Sequence, residues 1–292
     1  MKKIALIICL FCIGLMQAFA YSYTDKNGVT WGFSVSNSNA TITSASGFGE
    51  KVTIPGKVYD GGNGYTVTTL RYNLFSNNTT ITEVVLPASV VTIERNCFYK
   101  CTSLTKVTMP TTPYTIGASA FYGCNGLKSI DLSSCISLSE GSEFNGCSSL
   151  ETIGSLESCT SIGGYTFKNC SSLESVGDLP VCTVILDEAF ANCSSLESVG
   201  DLSSLLNISR NVFSGCYSLE KLVLAGDNVV TLGAVLATPT TVFVPQKLLA
   251  AYKEANSWKD MTERILPIGV TTERNVSVSA QENTSNLAYG KF

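Results

Sequence analysis

Apolar residues return along this chain with a fixed period of 23 residues. Seven phenylalanines keep that spacing without a shift of register: Phe75, Phe98, Phe121, Phe144, Phe167, Phe190 and Phe213. One stretch of ten residues, Cys170 to Leu179, recurs letter for letter as Cys193 to Leu202. A short unit of this kind can cover its apolar face only by lying against the next copy. The period therefore predicts stacked coils of a single solenoid.

Further apolar columns follow each phenylalanine at constant distances. Three residues on, six copies have a cysteine: Cys101, Cys124, Cys147, Cys170, Cys193 and Cys216. Six residues on stands an isoleucine or leucine, nine residues on an isoleucine, valine or leucine, and about eighteen residues on an isoleucine or leucine. We predict that the Phe, Cys and Leu columns point into the core.

A period of 23 lies within the range of about 20 to 29 residues that is typical of leucine-rich repeats. Their Leu-x-x-Leu-x-Leu core is legible, for example, from Leu104 to Met109. We predict one short strand per coil, stacked at about 4.8 Å. In three middle copies Gly154, Gly177 or Gly200 interrupts this strand, and an extra residue beside a glycine predicts a bulge.

The unit has a specific form, with Ile116-Gly117, Ala120-Phe121, Cys124, Leu127 and Ile130 at fixed spacings. It resembles the BspA-type leucine-rich repeats of bacterial surface proteins over roughly residues 50–268. The resemblance implies a β-rich leucine-rich-repeat solenoid, with a short strand plus a loop or short helical turn per repeat and a cap at each end. It also implies a surface setting, with adhesion or host-protein binding in some members, and it transfers no catalytic residue.

The pattern divides the chain into five predicted segments. These are a signal peptide (1–20), an N-terminal β cap (21–70), seven repeats (71–232), a C-terminal cap with a strand and a short helix (233–268), and a disordered tail (269–292). In the first cap we expect Trp31 and Phe33 to cover the open end of the array, and we expect residues 51–55 and 65–70 to flank a hairpin turn.

The first segment indicates export to the outside of a bacterium. Lys2 and Lys3 precede an apolar run that ends in Ala18-Phe19-Ala20, the form of a cleaved secretory signal. The run is short for a transmembrane span, so we expect none after cleavage. The net charge is −4, and loss of the two lysines leaves −6. That balance disfavours nucleic acid and membrane surfaces as partners.

The chain contains no histidine, which removes the usual general base and the commonest transition-metal ligand. The carboxylates are expected on a flat face rather than across a cleft. We therefore predict no enzyme activity, no catalytic residue, no cofactor and no metal site.

Ten cysteines follow the signal peptide, and an even number in an exported protein ordinarily suggests disulfides. Six of them lie in one inward column, and Cys135, Cys159 and Cys182 form a second partial column. Buried thiols at such positions act as small apolar side chains. We favour a packing ladder of free thiols, although bridges between neighbouring coils remain sterically possible.

The exposed side of the strands is the candidate binding face. Its residues are Lys106, Thr108, Ser129, Asp131, Glu151, Thr152, Glu174, Ser175, Glu197, Ser198, Glu220 and Lys221. The four glutamates repeat at one residue per coil, an arrangement that favours a basic partner or a solvated face. We interpret the protein as a monomeric, secreted or surface-held scaffold whose partner is an extracellular protein or glycan. A spacer without a ligand is the alternative, and a glycan-acting enzyme is a weaker one.

Overall fold

A computed structural model describes residues 21–234, 236 and 240–269. The predicted signal peptide and all but the first residue of the predicted tail lie outside the described residues. The described chain winds into a β-solenoid of about ten turns with few helices. The predicted leucine-rich-repeat solenoid is therefore confirmed.

Within the described residues the chain forms twenty strands, most of them short. They are β1 Tyr21–Thr24, β2 Thr30–Ser36, β3 Asn39–Ser46, β4 Lys51–Thr53, β5 Lys57–Asp60, β6 Asn63–Leu70, β7 Glu83–Val85, β8 Thr92–Ile93, β9 Lys106–Thr108, β10 Tyr114–Ile116, β11 Cys135–Ser137, β12 Ser161–Ile162, β13 Ser175–Val176, β14 Val184–Ile185, β15 Ser198–Val199, β16 Asn207–Ile208, β17 Lys221–Val223, β18 Thr231–Leu232, β19 Thr241–Val244 and β20 Ile265–Pro267. One α-helix, α1, spans Leu249–Glu254, and 3-10 turns cover Gln246–Leu248 and Lys259–Arg264.

Each repeat contributes two strand positions, one more than the sequence predicts. The first column, here called the strand face, contains β4, β7, β9, β13, β15, β17, β19 and β20, with single bridges at Ser129 and Thr152. The second column, the rear face, contains β6, β8, β10, β11, β12, β14, β16 and β18. The rear strands coincide with the isoleucine column, which sequence periodicity located without assigning it a strand.

A third side, the turn edge, consists of the segments centred on the seven phenylalanines. The residues two places before and two places after each phenylalanine adopt a left-handed backbone conformation, for example Asn96 and Lys100 around Phe98. The backbone N–H of Phe98 donates to Ala120 O in the next coil at 2.7 Å, and Cys101 N–H closes a local turn onto Phe98 O. Along this edge, backbone N–H groups thus donate alternately within their own coil and to the next coil. The backbone hydrogen-bonding groups are therefore paired although the edge has no regular secondary structure.

The phenylalanines form one continuous stack along the solenoid. Their ring centroids are 5.0 to 5.6 Å apart in consecutive coils, and their planes differ by at most 13°. All seven are buried, together with the Cys and Leu columns. The prediction that these columns point inwards is confirmed, and close aromatic contacts of this kind add to the gain from burial.

The thiols also repeat a single contact. From Cys101 to Cys216, each cysteine of the main column donates from Sγ to the carbonyl oxygen of the phenylalanine 26 residues earlier, at 3.1 to 3.2 Å. Cys135, Cys159 and Cys182 donate instead to a carbonyl two residues ahead. All ten cysteines among the described residues are buried and free.

The bulge predicted at the strand glycines is wrong at Gly177 and Gly200, whereas at Gly154 it stays a prediction. The strands β13 and β15 simply end before Gly177 and Gly200, and their pairing shows no shift of register. A Cβ on Gly177 would lie 2.8 Å from Gly154 O and 2.9 Å from Ser155 Cα. Glycine is required there because neighbouring coils approach backbone to backbone.

The N-terminal strands pair in the order β1, β2, β3, β6. Trp31 and Phe33 lie fully buried on β2, but whether this region acts as a cap stays a prediction. The predicted hairpin between residues 51–55 and 65–70 is wrong in its first strand. The strand that pairs antiparallel with β6 is β5, whereas β4, within residues 51–55, pairs with β7 on the strand face. Residues 52–55 read Val-x-Ile-Pro, similar to Val-x-Leu-Pro at 84–87 and Val-x-Met-Pro at 107–110 in the first two repeats, which explains the place of β4.

The C-terminal elements pack against the last coils. Tyr252 on α1 and Trp258 are fully buried. Trp258 Nε1 donates to Val230 O at 2.6 Å, and the Tyr252 hydroxyl donates to Asn228 O at 3.2 Å. These contacts fix the helical segment to the array; its role as a cap stays a prediction.

Candidate binding surface

The twelve predicted site residues lie along the strand face. Eleven are exposed, and Lys221 is half-buried. Lys106, Ser129 and Thr152 are paired directly in consecutive coils, as are Ser175 and Ser198. The solenoid thus gathers residues more than a hundred positions apart onto one side.

The glutamates stand one above another because their backbones form a ladder. Glu174 N–H donates to Glu151 O at 3.1 Å, and Glu197 N–H donates to Glu174 O at 2.9 Å. In the coil before Glu151 the same column holds Lys128, whose carbonyl accepts from Glu151 N–H at 2.8 Å. Like charges at one strand spacing repel, so this stripe is a surface on which a cationic partner would be stabilised.

The N-terminal end of the strand face has a different charge arrangement. Glu83 lies between Lys51 and Lys106, with N–O distances of 3.1 and 3.2 Å. Hydrogen bonds from Lys51 and then Lys106 lower the pKa of the Glu83 carboxyl. Exposed ion pairs contribute little stability, and the single Glu83 carboxylate offsets only one of the two lysine charges on the first coils of the face.

A shallow, open depression of about 600 Å³ lies near the C-terminal end of the strand face. Glu197, Ser198, Glu220 and Lys221 line it together with Tyr217, whose side chain is 71% exposed. The depression combines carboxylates, a hydroxyl, a cation and one aromatic ring. Such a set can hydrogen-bond polar ligands while the ring supplies contact area.

The binding face predicted from the sequence did not include Tyr217. A signal was nevertheless present. Four residues after each phenylalanine the chain has Thr79, Thr102, Asn125, Ser148, Ser171, Ser194 and then Tyr217. An aromatic residue in a column of small polar ones indicates a position where packing does not dictate the choice.

One carboxyl group lies inside the solenoid rather than on it. Glu143 is fully buried, where the equivalent positions of other coils hold Ala120 and Ala189. Its oxygens accept hydrogen bonds from Gly141 N–H and from the Thr166 hydroxyl, each at 2.9 Å. Burial raises the pKa of this carboxyl above its ordinary value, against the opposing effect of these hydrogen bonds.

Two further properties of the described part of the chain bear on function. Over those residues, no group of three or more cysteine and carboxylate side chains is placed to hold a metal ion. The same residues include no helix of the length and apolar character needed to cross a bilayer.

Comparison with known proteins places these observations in a family. The profile of the BspA type leucine rich repeat region matches residues 68–197 and 178–236, in six copies. The fold is similar to a leucine rich repeat protein of T. pallidum, at 28% identity and a TM-score of 0.60, over 68% of this chain and 90% of that one. It is also similar to a leucine rich cell surface protein of Faecalibacterium prausnitzii, at 26% identity and a TM-score of 0.50, over 77% of this chain and 70% of that one. No curated protein matches the chain.

Proposed function

Because this chain belongs to the BspA-type leucine-rich repeat family, we propose that it is an exported scaffold at the bacterial surface that binds an extracellular protein or glycan. The proposed binding surface is the strand face. The observation that carries the proposal is the depression beside Tyr217, where exposed polar and charged side chains meet an exposed ring. Tyrosine is enriched among residues that dominate binding energy.

The proposed location rests on two further observations. The first twenty residues have the composition of a secretory signal. The F. prausnitzii relative is described as a cell surface protein. The part of the chain that the structure describes has broad exposed faces. We propose that these faces bind a partner and do not catalyse a reaction.

The test is binding of the protein without its predicted signal peptide to a glycan array and to a panel of extracellular matrix proteins. We expect selective binding that falls at least about tenfold in Tyr217→Ala, the size of loss typical of an aromatic anchor. The double variant Glu174→Lys, Glu197→Lys should also lose binding if the acidic stripe takes part. Glu254→Lys with Glu263→Lys is a matched control, since it makes the same change of charge at exposed positions on the C-terminal helical segments.

Two outcomes would overturn the proposal. Absence of binding across both panels, with an intact fold, favours the spacer interpretation. Binding that survives in all strand-face variants as well as in the control would place the site elsewhere on the molecule.

A further inference from the structure

The turn edge of the first repeats contains a cluster that the proposed function does not use. Two guanidinium groups lie against one tyrosine ring: Arg71 Cζ is 4.7 Å and Arg95 Cζ is 5.5 Å from the Tyr72 ring centroid. Arg71 Nη2 also donates to the Tyr72 hydroxyl at 3.0 Å. All three side chains are exposed. The ring therefore holds two cations in place at the protein surface.

The repeat explains this arrangement. Tyr72 and Arg95 occupy the same position, three residues before the phenylalanine, in consecutive coils. Asn73 N–H donates to Arg95 O at 3.2 Å, which fixes the two turns side by side. One carboxylate lies at the cluster: Glu94 Oε2 accepts the backbone N–H of Tyr72 at 2.9 Å. Glu94 thus fixes the tyrosine backbone and leaves a local excess of one positive charge.

A second aromatic and cationic pair continues the same edge. Tyr99 and Tyr122 stack at 5.0 Å between centroids, and Lys100 Nζ lies 5.3 Å from the centre of the Tyr99 ring. Lys100 is exposed. We call Arg71, Tyr72 and Arg95 the cationic cluster, and Lys100 adds a further positive charge to the same edge.

The charge of the whole solenoid makes this cluster unusual. Residues 71–130 contain five Lys or Arg and two Asp or Glu, a net charge of +3. Residues 131–220 contain two Lys or Arg and twelve Asp or Glu, a net charge of −10. The cationic cluster therefore lies in a basic section of the solenoid that is followed by a strongly acidic one, and an anionic partner would be steered to the basic section.

We propose that the cationic cluster is a binding site for the carboxylates of an acidic segment in a partner protein. Guanidinium groups present a planar fork of donors that matches a carboxylate, and the contacts with Tyr72 arrange them before binding. Tyrosine and arginine together have the composition of interface hot spots. A peptide also offers apolar side chains for the ring and the arginine stems, which a sulfated glycan does not. The site is on a different edge from the strand face and does not depend on the proposed function.

The experiment measures fluorescence anisotropy of a labelled peptide of about twelve residues in which Glu alternates with Leu, the length of an ordinary recognition segment. A peptide with Gln in place of Glu is the ligand control. We expect the Glu peptide alone to bind, and binding to weaken as ionic strength rises to about 0.15 M. The variant Arg71→Ala, Arg95→Ala should lose at least about tenfold in affinity. Lys253→Ala with Lys259→Ala removes two exposed positive charges elsewhere and should leave affinity unchanged.

The variant Tyr72→Ala tests whether binding requires arginines held in position by the Tyr72 ring or only their positive charge. It keeps both arginines, so we expect it to lose most of the affinity that the arginine variant loses. Equal binding by all variants would overturn the proposal, as would equal loss in the lysine control. Binding of a sulfated polysaccharide through the same arginines, without binding of the Glu peptide, would assign the site to a glycan and overturn it. A dimer in sedimentation velocity that is abolished by Arg71→Ala, Arg95→Ala would make a second copy the occupant instead.

Discussion

The thiol of Cys193 donates a hydrogen bond to the carbonyl oxygen of Phe167, with 3.1 Å between Sγ and O. The same contact recurs in six coils, so the cysteine column is at once a packing column and a row of weak donors. A disulfide sulfur carries no hydrogen and could not make this bond. The ladder therefore depends on reduced thiols.

The first prediction concerns the number of free thiols. Protein unfolded without a reductant should titrate with close to ten thiols from the described residues. In the native state these thiols should react very slowly with the same reagent. All are buried, and burial raises the pKa of Cys101 to about 12, which suppresses the reactive thiolate. A count near zero in the unfolded protein would show that the ladder interpretation is wrong.

The second prediction concerns the phenylalanine stack. Phe144→Ala removes a buried ring that stacks on Phe121 and Phe167, with centroids 5.2 and 5.4 Å away. The free energy of unfolding should fall by about 3 to 5 kcal/mol because a cavity opens in mid-stack. Urea unfolding followed by circular dichroism measures this change. Phe48→Ala is the control, since that ring is half-buried and meets Phe75, the first ring of the stack, edge-on rather than stacked. An equal loss in this variant would contradict the prediction.

The third prediction is a pH dependence caused by Glu143. Its pKa is raised in the folded protein, so the folded state binds an extra proton just above pH 4.5, and stability falls as pH rises through that window. Glu143→Gln should therefore raise Tm relative to the wild type at pH 7. The difference should shrink as pH falls below 4.5, where the carboxyl is protonated in both states.

Thermal unfolding at several pH values gives this comparison. Glu151→Gln removes one charge from the exposed stripe and serves as the control for a change in net charge. A difference between Glu143→Gln and the wild type that is constant over pH would exclude the buried carboxyl as its cause.

The fourth prediction tests the close approach of the coils. Gly177→Ala places a methyl group within 3 Å of backbone atoms of the preceding coil. Since backbone cannot move aside as a side chain can, we expect a loss of about 1 to 3 kcal/mol. Gly49→Ala is a matched control, because no atom lies within 4 Å of the added Cβ and its φ is not positive. Equal stability of the two variants would contradict the packing described at Gly177.

Periodicity alone predicted the core of this fold correctly, because burial in a repeat array is dictated by spacing. It did not reveal the rear strands: a two-residue strand such as Val184–Ile185 is too short to show alternation. The turn edge was also missed, although Asn or Gly occurs at many of its left-handed positions, including Asn169 and Gly215. Tyr165 and Glu188 adopt the same conformation, which residue preference alone does not predict.

The candidate surface followed from the same spacing, but its individual features did not. Tyr217, Arg71 and Tyr72 do not recur at the same position in other repeats, so the periodic pattern does not identify them. Their significance comes from which side chains the winding brings together. The pairing of Arg95 with a ring 23 residues earlier, for example, exists only because consecutive coils stack in register.

The between-coil hydrogen bonds of the turn edge all run in one sense. Phe75, Phe98, Phe121, Phe144, Phe167 and Phe190 each donate their N–H towards the C-terminal neighbour. Peptide dipoles that point the same way add, as they do in an α-helix. The turn edge is therefore an electric dipole with its positive pole at the C-terminal end, and the acidic coils sit at that pole while the basic coils sit at the negative one. If the order of the repeats were reversed, the same kinds of buried contact would form. The acidic coils would then lie at the negative pole of the backbone dipole and the basic coils at the positive pole.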